Sequence, residues 1–251
     1  MKRFHLLVLA LYAFLAVALT WPLVRYLGTH VPGSDTWAFD EYTFVWNLWW
    51  FRHSLFELVQ NPLHSTHIFY PLGISLVLYT YNLYNALLSL PFQSFLSLPA
   101  VSNLLFLLAT TLSGQGAFLL VEYLISSSEQ QAPGAGQQVA QHDGSLTTYC
   151  AAFLAGLIYA FGSYRLVYAA IGHYDMWSTA WIPLYAYFLV KTIHEPRLRY
   201  AIFAGVSLAL AMLAEMIFGV FLGMLTLILL AFVVGRRGRR QVAGGLAALL
   251  K

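Results

Sequence analysis

Met216-Ile217-Phe218-Gly219-Val220-Phe221-Leu222-Gly223-Met224-Leu225-Thr226-Leu227-Ile228-Leu229-Leu230-Ala231-Phe232-Val233-Val234 carries no charged residue, and it is bounded by Glu215 on one side and Arg236-Arg237 on the other. About 20 apolar residues are what an α-helix needs to cross roughly 30 Å of hydrocarbon. In lipid only a helix or a closed barrel satisfies its own backbone. The stretch reads as a transmembrane helix. The composition agrees: 60% of the residues are hydrophobic, 16% aromatic and only 9% charged, against about 25% charged in a soluble domain. This is a polytopic membrane protein and not a globular enzyme. The formal charge of +3 comes from basic residues gathered at the ends of apolar runs, so nothing points to nucleic acid. Cys150 is the single cysteine, which excludes an intrachain disulfide.

Working outward, six more spans are legible at 4–27, 75–98, 100–125, 149–170, 176–191 and 199–214. The first apolar run is too long for a signal peptide and lacks a small-x-small cleavage site. Lys2 and Arg3 place the N-terminus in the cytoplasm by the positive-inside rule. The expected organisation is all-α and polytopic: one transmembrane domain over residues 1–251. Within it lie a first span (1–27), an extracytoplasmic loop (28–74), the remaining spans (75–234), and a basic loop leading into a further, truncated span (235–251). Ser126 to Thr148, rich in Gln, Gly and Ser, reads as a loop. A conflict remains within this scheme. Counting one crossing per span puts the basic hinge of Lys191, Arg197 and Arg199 outside, whereas the positive-inside rule puts it inside. One segment within 74–125 must cross twice or fail to cross.

The first outer loop holds the densest chemistry. Gly33-Ser34-Asp35-Thr36-Trp37-Ala38-Phe39-Asp40-Glu41 sets three carboxylates within seven residues, beside Trp46, Trp49 and Trp50. Tryptophan favours the bilayer surface. From 36 to 59, Asp40, Thr43, Asn47, Ser54 and Glu57 recur in steps of three and four, with Trp50 filling the gap. Trp37, Phe44, Leu48, Phe51, Leu55 and Leu58 line the opposite side. That periodicity predicts an amphipathic helix lying in the interface plane, ended by Asn61-Pro62. His64, His67 and Phe69-Tyr70-Pro71-Leu72-Gly73 follow in a loop, and Gly172-His173-Tyr174-Asp175 forms a polar break between two later spans.

A Gly-x-Asp loop running into Trp-Asn-Leu-Trp-Trp, then Phe-Tyr-Pro-Leu-Gly, resembles the GT-C superfamily of membrane glycosyltransferases, closest to its uncharacterised bacterial members. Ala160-Phe161-Gly162-Ser163-Tyr164-Arg165-Leu166, Gly172-His173 and Trp181-Ile182-Pro183-Leu184 match the later part of that pattern. The resemblance covers nearly all of the chain, at about half the length such enzymes have. It implies transfer of a sugar from a polyprenyl-phosphate or polyprenyl-diphosphate carrier to an acceptor on the outer face of a plasma membrane of the bacterial inner-membrane type. It also implies a first-loop acid acting as general base or as ligand to a divalent cation such as magnesium or manganese. Asp35 matches that acid by position, and Asp40-Glu41 is the alternative acidic pair. His173 and Asp175 would belong to a second loop facing the same cavity, although a neutral amide is expected where Asp175 stands. The partners implied are a lipid-linked donor and membrane lipids; the acceptor is left open.

The residues also permit simpler roles. Asp35 could cap the helix that follows, Asp40 could be a solvated face, and Glu41 falls near the apolar side, where an acid has to turn toward a cavity or a cation. Arg165 sits within an apolar helix, where a charge is functional by default, and would serve the departing phosphate; it can also snorkel to the interface. His173 either meets phosphate or metal or caps a turn. Asn47 and Tyr70 complete the expected substrate contacts. His64 and His67 lack a paired acid and make a weak metal pair, and Glu215 reads as a pore or packing residue. The competing function classes are a transporter or channel and a non-catalytic membrane scaffold. A transporter of this kind carries an internal repeat, and the Gly-x-Asp…Trp-Trp element occurs once.

Overall fold

The structure, a computed structural model, describes residues 2–33, 40–77, 79–130 and 145–249, of residues 2, 130 and 236–249 the backbone only. The chain is mostly helical. In order come α1 (Lys2–Leu19), a 3-10 turn (Leu23–Tyr26), α2 (Asp40–Phe56), a two-residue hairpin of β1 (His64–Ser65) and β2 (Ile74–Ser75), α3 (Leu83–Ser89) and α4 (Leu98–Gln130). Then follow α5 (Leu146–Phe161), α6 (Ser163–Ala170), α7 (Trp181–His194), α8 (Leu198–Ala214) and α9 (Met216–Leu249). Local chemistry sets several of the starts. The Asn82 side chain accepts from Asn85 N–H at α3, Ser97 Oγ from Ala100 N–H at α4, and Ser145 Oγ from Thr148 N–H at α5, each satisfying a donor left orphaned in the first turn.

Three helical stretches are long and apolar enough to cross a membrane: Leu98–Glu129, Leu146–Ala170 and Met216–Gly235. Arg3–Leu19 and Leu198–Ala214 are apolar but shorter. The expected seven spans are therefore not all present as full-length helices. The clearest departure is 75–98, which forms only the seven-residue α3 between a hairpin and turns. Its polar side chains are used for local and tertiary bonds: Asn82 Nδ2 and Asn85 Nδ2 both donate to Ser178 Oγ, and Ser89 Oγ donates to Ala86 O. At the other end of the chain, α9 continues unbroken through Arg236–Arg240 and 241–249, where a basic loop and a new span were expected. The expected loop from Ser126 also begins later, because α4 runs on to Gln130.

Side-chain contacts fix the helix directions. The start of α4 touches the end of the α1 segment, where Asn103 Nδ2 donates to Leu27 O and His30 O and Ser97 Oγ donates to Gly28 O. The far part of α4 meets the start of α1 through His5 Nε2 and Glu122 Oε1, 3.0 Å apart. α4 and α5 cross closely at two glycines: a Cβ on Gly156 would lie 2.5 Å from Gly114 O and collide with the Tyr12 hydroxyl. α7 runs alongside α4, with Gly116 near Pro183 and Tyr123 near Lys191 and His194. α8 returns antiparallel, bringing Tyr200 under Lys191. As a result Gly28–Gly33, the start of α2, residues 171–180 and Glu215 gather at one end of the helical bundle. Lys191, Arg197 and Arg199 gather at the other.

α2 packs at the first of these ends. Its buried residues are Glu41, Phe44, Asn47, Leu48, Trp50, Phe51 and Ser54. Phe44, Leu48 and Phe51 from the predicted apolar side are buried, whereas Leu55 is half-buried, Leu58 is exposed and Trp37 lies outside the described residues; Asn47 and Ser54 from the predicted polar stripe are buried as well. Ser54 returns its hydroxyl to Trp50 O and Phe51 O, and Asn47 Nδ2 donates to Thr80 O at 2.7 Å. A hydrogen-bonded hydroxyl such as that of Ser54 can be buried at little cost, whereas Asn47 Oδ1 is buried without a partner among the described residues.

Candidate functional site

The first turn of α2 meets the break between α6 and α7. Asp40 Oδ2 lies 2.6 Å from His173 Nε2. The Tyr168 ring stands edge-on to the imidazole at 5.6 Å, and Phe44 stacks on Tyr174 at 5.6 Å. The Tyr174 hydroxyl donates to Pro32 O at 3.1 Å, which draws the outer loop to the same place. Burial, with the Glu41 charge as a lesser contributor, pushes the Tyr174 phenol well above its ordinary range.

Glu41 sits inside this junction. It is 5% exposed, and Oε2 has no hydrogen-bond partner among the described residues. Two glycines make room for it. A Cβ on Gly33 would fall 2.7 Å from Glu41 Cδ, and one on Gly172 would fall 2.7 Å from both Glu41 Cβ and its backbone N. Gly172 also holds φ +75°, a left-handed conformation that glycine adopts at least cost. A buried carboxylate oxygen without a donor is expensive unless something else supplies a proton or a cation.

The remaining predicted residues divide clearly. Asp35 lies outside the described residues, but Gly33 before it and Asp40 after it both stand at the His173 junction. Asp175 is 2% exposed and turns toward Glu215; its Oδ1 accepts the Met176 N–H at 2.8 Å. Burial, and next the hydrogen bond with Glu215, push its carboxyl up to about 7. Arg165 is 3% exposed and fully engaged by neutral oxygens. It donates to Ala160 O, Ser113 Oγ, Thr179 Oγ1, Trp177 O and Thr110 Oγ1. Instead of aiming at a phosphate, it knots α4, α5, α6 and the break together. Asn47 has committed its amide N–H to Thr80 O and is 1% exposed. Tyr70 is 84% exposed on the β1–β2 loop. His67 packs on Trp50, and among the described residues no group of three or more His, Cys, Asp or Glu could hold a metal ion.

An apolar groove of about 320 Å³ adjoins the junction, lined by Leu19, Leu23, Val31, Pro32, Phe106 and Ala170 among others. Pro32, which receives the Tyr174 hydroxyl, belongs to both. Two participants escaped the sequence reading: Tyr174, legible only as part of the Gly172–Asp175 break, and Gly33, legible only as the residue before the acids. No family model, curated protein or solved structure matches this chain.

Proposed function

We propose that the protein is a membrane glycosyltransferase of GT-C type that moves a sugar from a polyprenyl-phosphate-type donor to an acceptor on the outer face of the membrane. The observation that carries the reading is the 2.6 Å Asp40–His173 contact, which holds the acid-rich first loop against the later break with Glu41 clamped between them. In the reaction the acceptor O–H attacks the anomeric carbon, the bond from that carbon to the phosphate oxygen breaks, and the phosphate departs with the electron pair. The released proton needs a base within hydrogen-bond reach. Asp35, Asp40 and Glu41 supply carboxylates, and His173, oriented by Asp40, supplies an imidazole. The 320 Å³ apolar groove beside them suits the lipid end of the donor.

In the membrane arrangement that fits this reading, α1, α4, α5–α6, α7, α8 and α9 cross while 75–98 stays outside. The N-terminus and the Lys191–Arg199 hinge then both lie in the cytoplasm, and the acids lie outside. The conflict in the crossing count disappears.

The test is transfer of a radiolabelled sugar from a polyprenyl-phosphate donor by the full chain in lipid nanodiscs, with a Cys150→Ser protein carrying Asn61→Cys or Glu195→Cys probed for topology by an impermeant maleimide. The expected results are donor consumption, labelling of Asn61→Cys in intact cells, and labelling of Glu195→Cys only after permeabilisation. No consumption of any lipid-linked donor would remove the enzymatic reading in favour of a transporter or scaffold.

A further inference from the structure

The end of the bundle away from the acids holds a second charged cluster, built by α4, α7 and α8. Lys191 points its ammonium into a box of tyrosine rings. Its Nζ lies 5.0 Å from the ring centres of Tyr123 on α4 and Tyr187 on α7, and 4.9 Å from that of Tyr200 on α8. It donates to the Tyr187 hydroxyl at 3.1 Å. Arg199 uses the same Tyr200, with Cζ 4.8 Å from the ring centre and Nη2 donating to its hydroxyl at 2.9 Å. Sharing that ring, the two cations stand no more than about 9.7 Å apart. Among the described residues no carboxylate comes within 4.0 Å of either, and the neighbouring acid, Glu195, pairs with Arg197 at 3.6 Å. Aromatic faces hold cations in place but leave their charge uncancelled. α8 starts at Leu198 without a side-chain cap, so the N–H groups of its first turn add positive potential at the same spot.

We propose that Lys191 and Arg199 together bind one phosphate group of net negative charge, supplied by an anionic lipid headgroup or by free phosphate. Depth is the first argument. α4 begins at Leu98, at the opposite end of the bundle. At 1.5 Å per residue, Tyr123 lies about 38 Å further along, close to the distance between the two headgroup layers of a bilayer. The cluster thus sits at the level of lipid phosphates. Chemistry is the second argument. A guanidinium fork, a point-charge ammonium and tyrosine hydroxyls all offer donors to phosphate oxygens. Basic pockets between transmembrane helices bind anionic headgroups in this way. A zwitterionic headgroup brings its own ammonium, which the two cations repel. The positive-inside bias asks only for Lys and Arg near a helix end. A caged ammonium and a stacked guanidinium sharing one ring go further, because they fix two charges at one spacing. The site makes no use of glycosyl transfer and stands whether or not that reading holds.

The test is native mass spectrometry of the full chain released from nanodiscs that mix phosphatidylglycerol with phosphatidylcholine. The wild-type protein is expected to keep one phosphatidylglycerol in preference to phosphatidylcholine. Lys191→Gln with Arg199→Gln should lower that retention about tenfold or more, the effect of losing charge-assisted hydrogen bonds. Arg199→Gln alone, at an exposed position, should lower it a few-fold with the thermal midpoint unchanged, and Arg199→Lys should keep most of it. Arg236→Gln with Arg237→Gln removes two charges elsewhere and should leave retention unaltered. The two sources separate in nanodiscs of phosphatidylcholine alone. There a free-phosphate site raises the thermal midpoint as inorganic phosphate is added, whereas a headgroup site responds only once phosphatidylglycerol is included. Either response, lost in the Lys191→Gln, Arg199→Gln protein, supports the proposal. Equal retention of the two lipids by the wild type without any response to phosphate, a response unaffected by Lys191→Gln with Arg199→Gln, or an equal loss in Arg236→Gln with Arg237→Gln would each overturn it.

Discussion

His173 Nε2 stands 2.6 Å from the Asp40 carboxylate, although the two residues belong to segments separated by most of the chain. The pair is partly open to solvent, with side chains 31% and 52% exposed, so it adds at most about 1 kcal/mol to stability. Its conspicuous geometry is therefore better explained by what it orients. His173→Gln and Asp40→Asn should leave the thermal midpoint within about 4 °C yet lower sugar transfer by roughly two orders of magnitude or more. The double variant should be no worse than the poorer single one, because partners in one unit are not additive. Additive losses in kcat/KM would show that the two residues act separately.

Gly172 offers a structural test of the same junction. With φ +75° and Glu41 backbone 2.7 Å from any added Cβ, Gly172→Ala should destabilise the protein by about 1–3 kcal/mol. Gly223→Ala is the control, since it lies within α9 with nothing inside 4 Å of its Cβ position. It should be neutral or stabilising by about 0.5–1 kcal/mol. Thermal unfolding in nanodiscs distinguishes the two, and equal midpoints would mean that the close approach at Glu41 relaxes freely.

The broad class was legible because long uncharged runs leave few alternatives in lipid. The failure at 75–98 has a definite cause. Hydropathy does not distinguish a membrane span from an apolar segment buried by its neighbours, and here Tyr79, Tyr81, Asn82, Asn85 and Pro91 were the signs of turns. The α2 pattern misled for another reason. Ser54 and the Asn47 amide N–H find acceptors within the packed end of the molecule, so side-chain polarity did not mark the solvated side. Asp40, Glu41 and His173 were legible as candidates one at a time. Their convergence was not, because no local spacing encodes a contact between the first loop and the sixth helix's end.

Arg165 now has a role that predicts folding more than catalysis. A guanidinium presents a planar fork, whereas an ammonium presents a point charge with three donors. Arg165→Lys would strand several of Thr110, Ser113, Thr179 and the Trp177 carbonyl. The expected cost is about 2–4 kcal/mol, seen as a lower thermal midpoint with the KM for the donor unchanged in whatever protein remains folded. A raised KM with an unchanged midpoint would return Arg165 to the substrate.

Asp175 makes stability depend on pH in a particular direction. Its folded carboxyl titrates at about 7, above its ordinary 3.8, so between these values the folded state binds more protons than the unfolded one. Stability should be greatest at the acid end of that window, fall as pH rises through it, and level off above about 7. Asp175→Asn removes the titrating group and should flatten the slope. The groups facing it are Glu215 from the α8–α9 corner and Tyr164 from α6, so Glu215→Gln should also shift the profile. A wild-type midpoint that rises across the window would contradict this assignment.

The choice of base rests on the three acids of the first loop. Asp35→Asn preserves size and much of any capping role, so a loss of transfer with normal insertion would separate catalysis from folding. The expected loss is two to four orders of magnitude, with a smaller defect for Asp40→Asn if its part is to orient His173. Glu41→Gln discriminates differently. Replacing a buried carboxylate whose Oε2 has no partner among the described residues removes a desolvated charge, so the thermal midpoint should hold or rise. If Glu41 receives the acceptor proton or a cation, transfer should collapse in that more stable protein. Full transfer in Asp35→Asn together with collapse in Glu41→Gln would move the base from the loop to the clamped acid. Collapse in Asp35→Asn alone would leave Glu41 as a residue that shapes the junction without entering the chemistry.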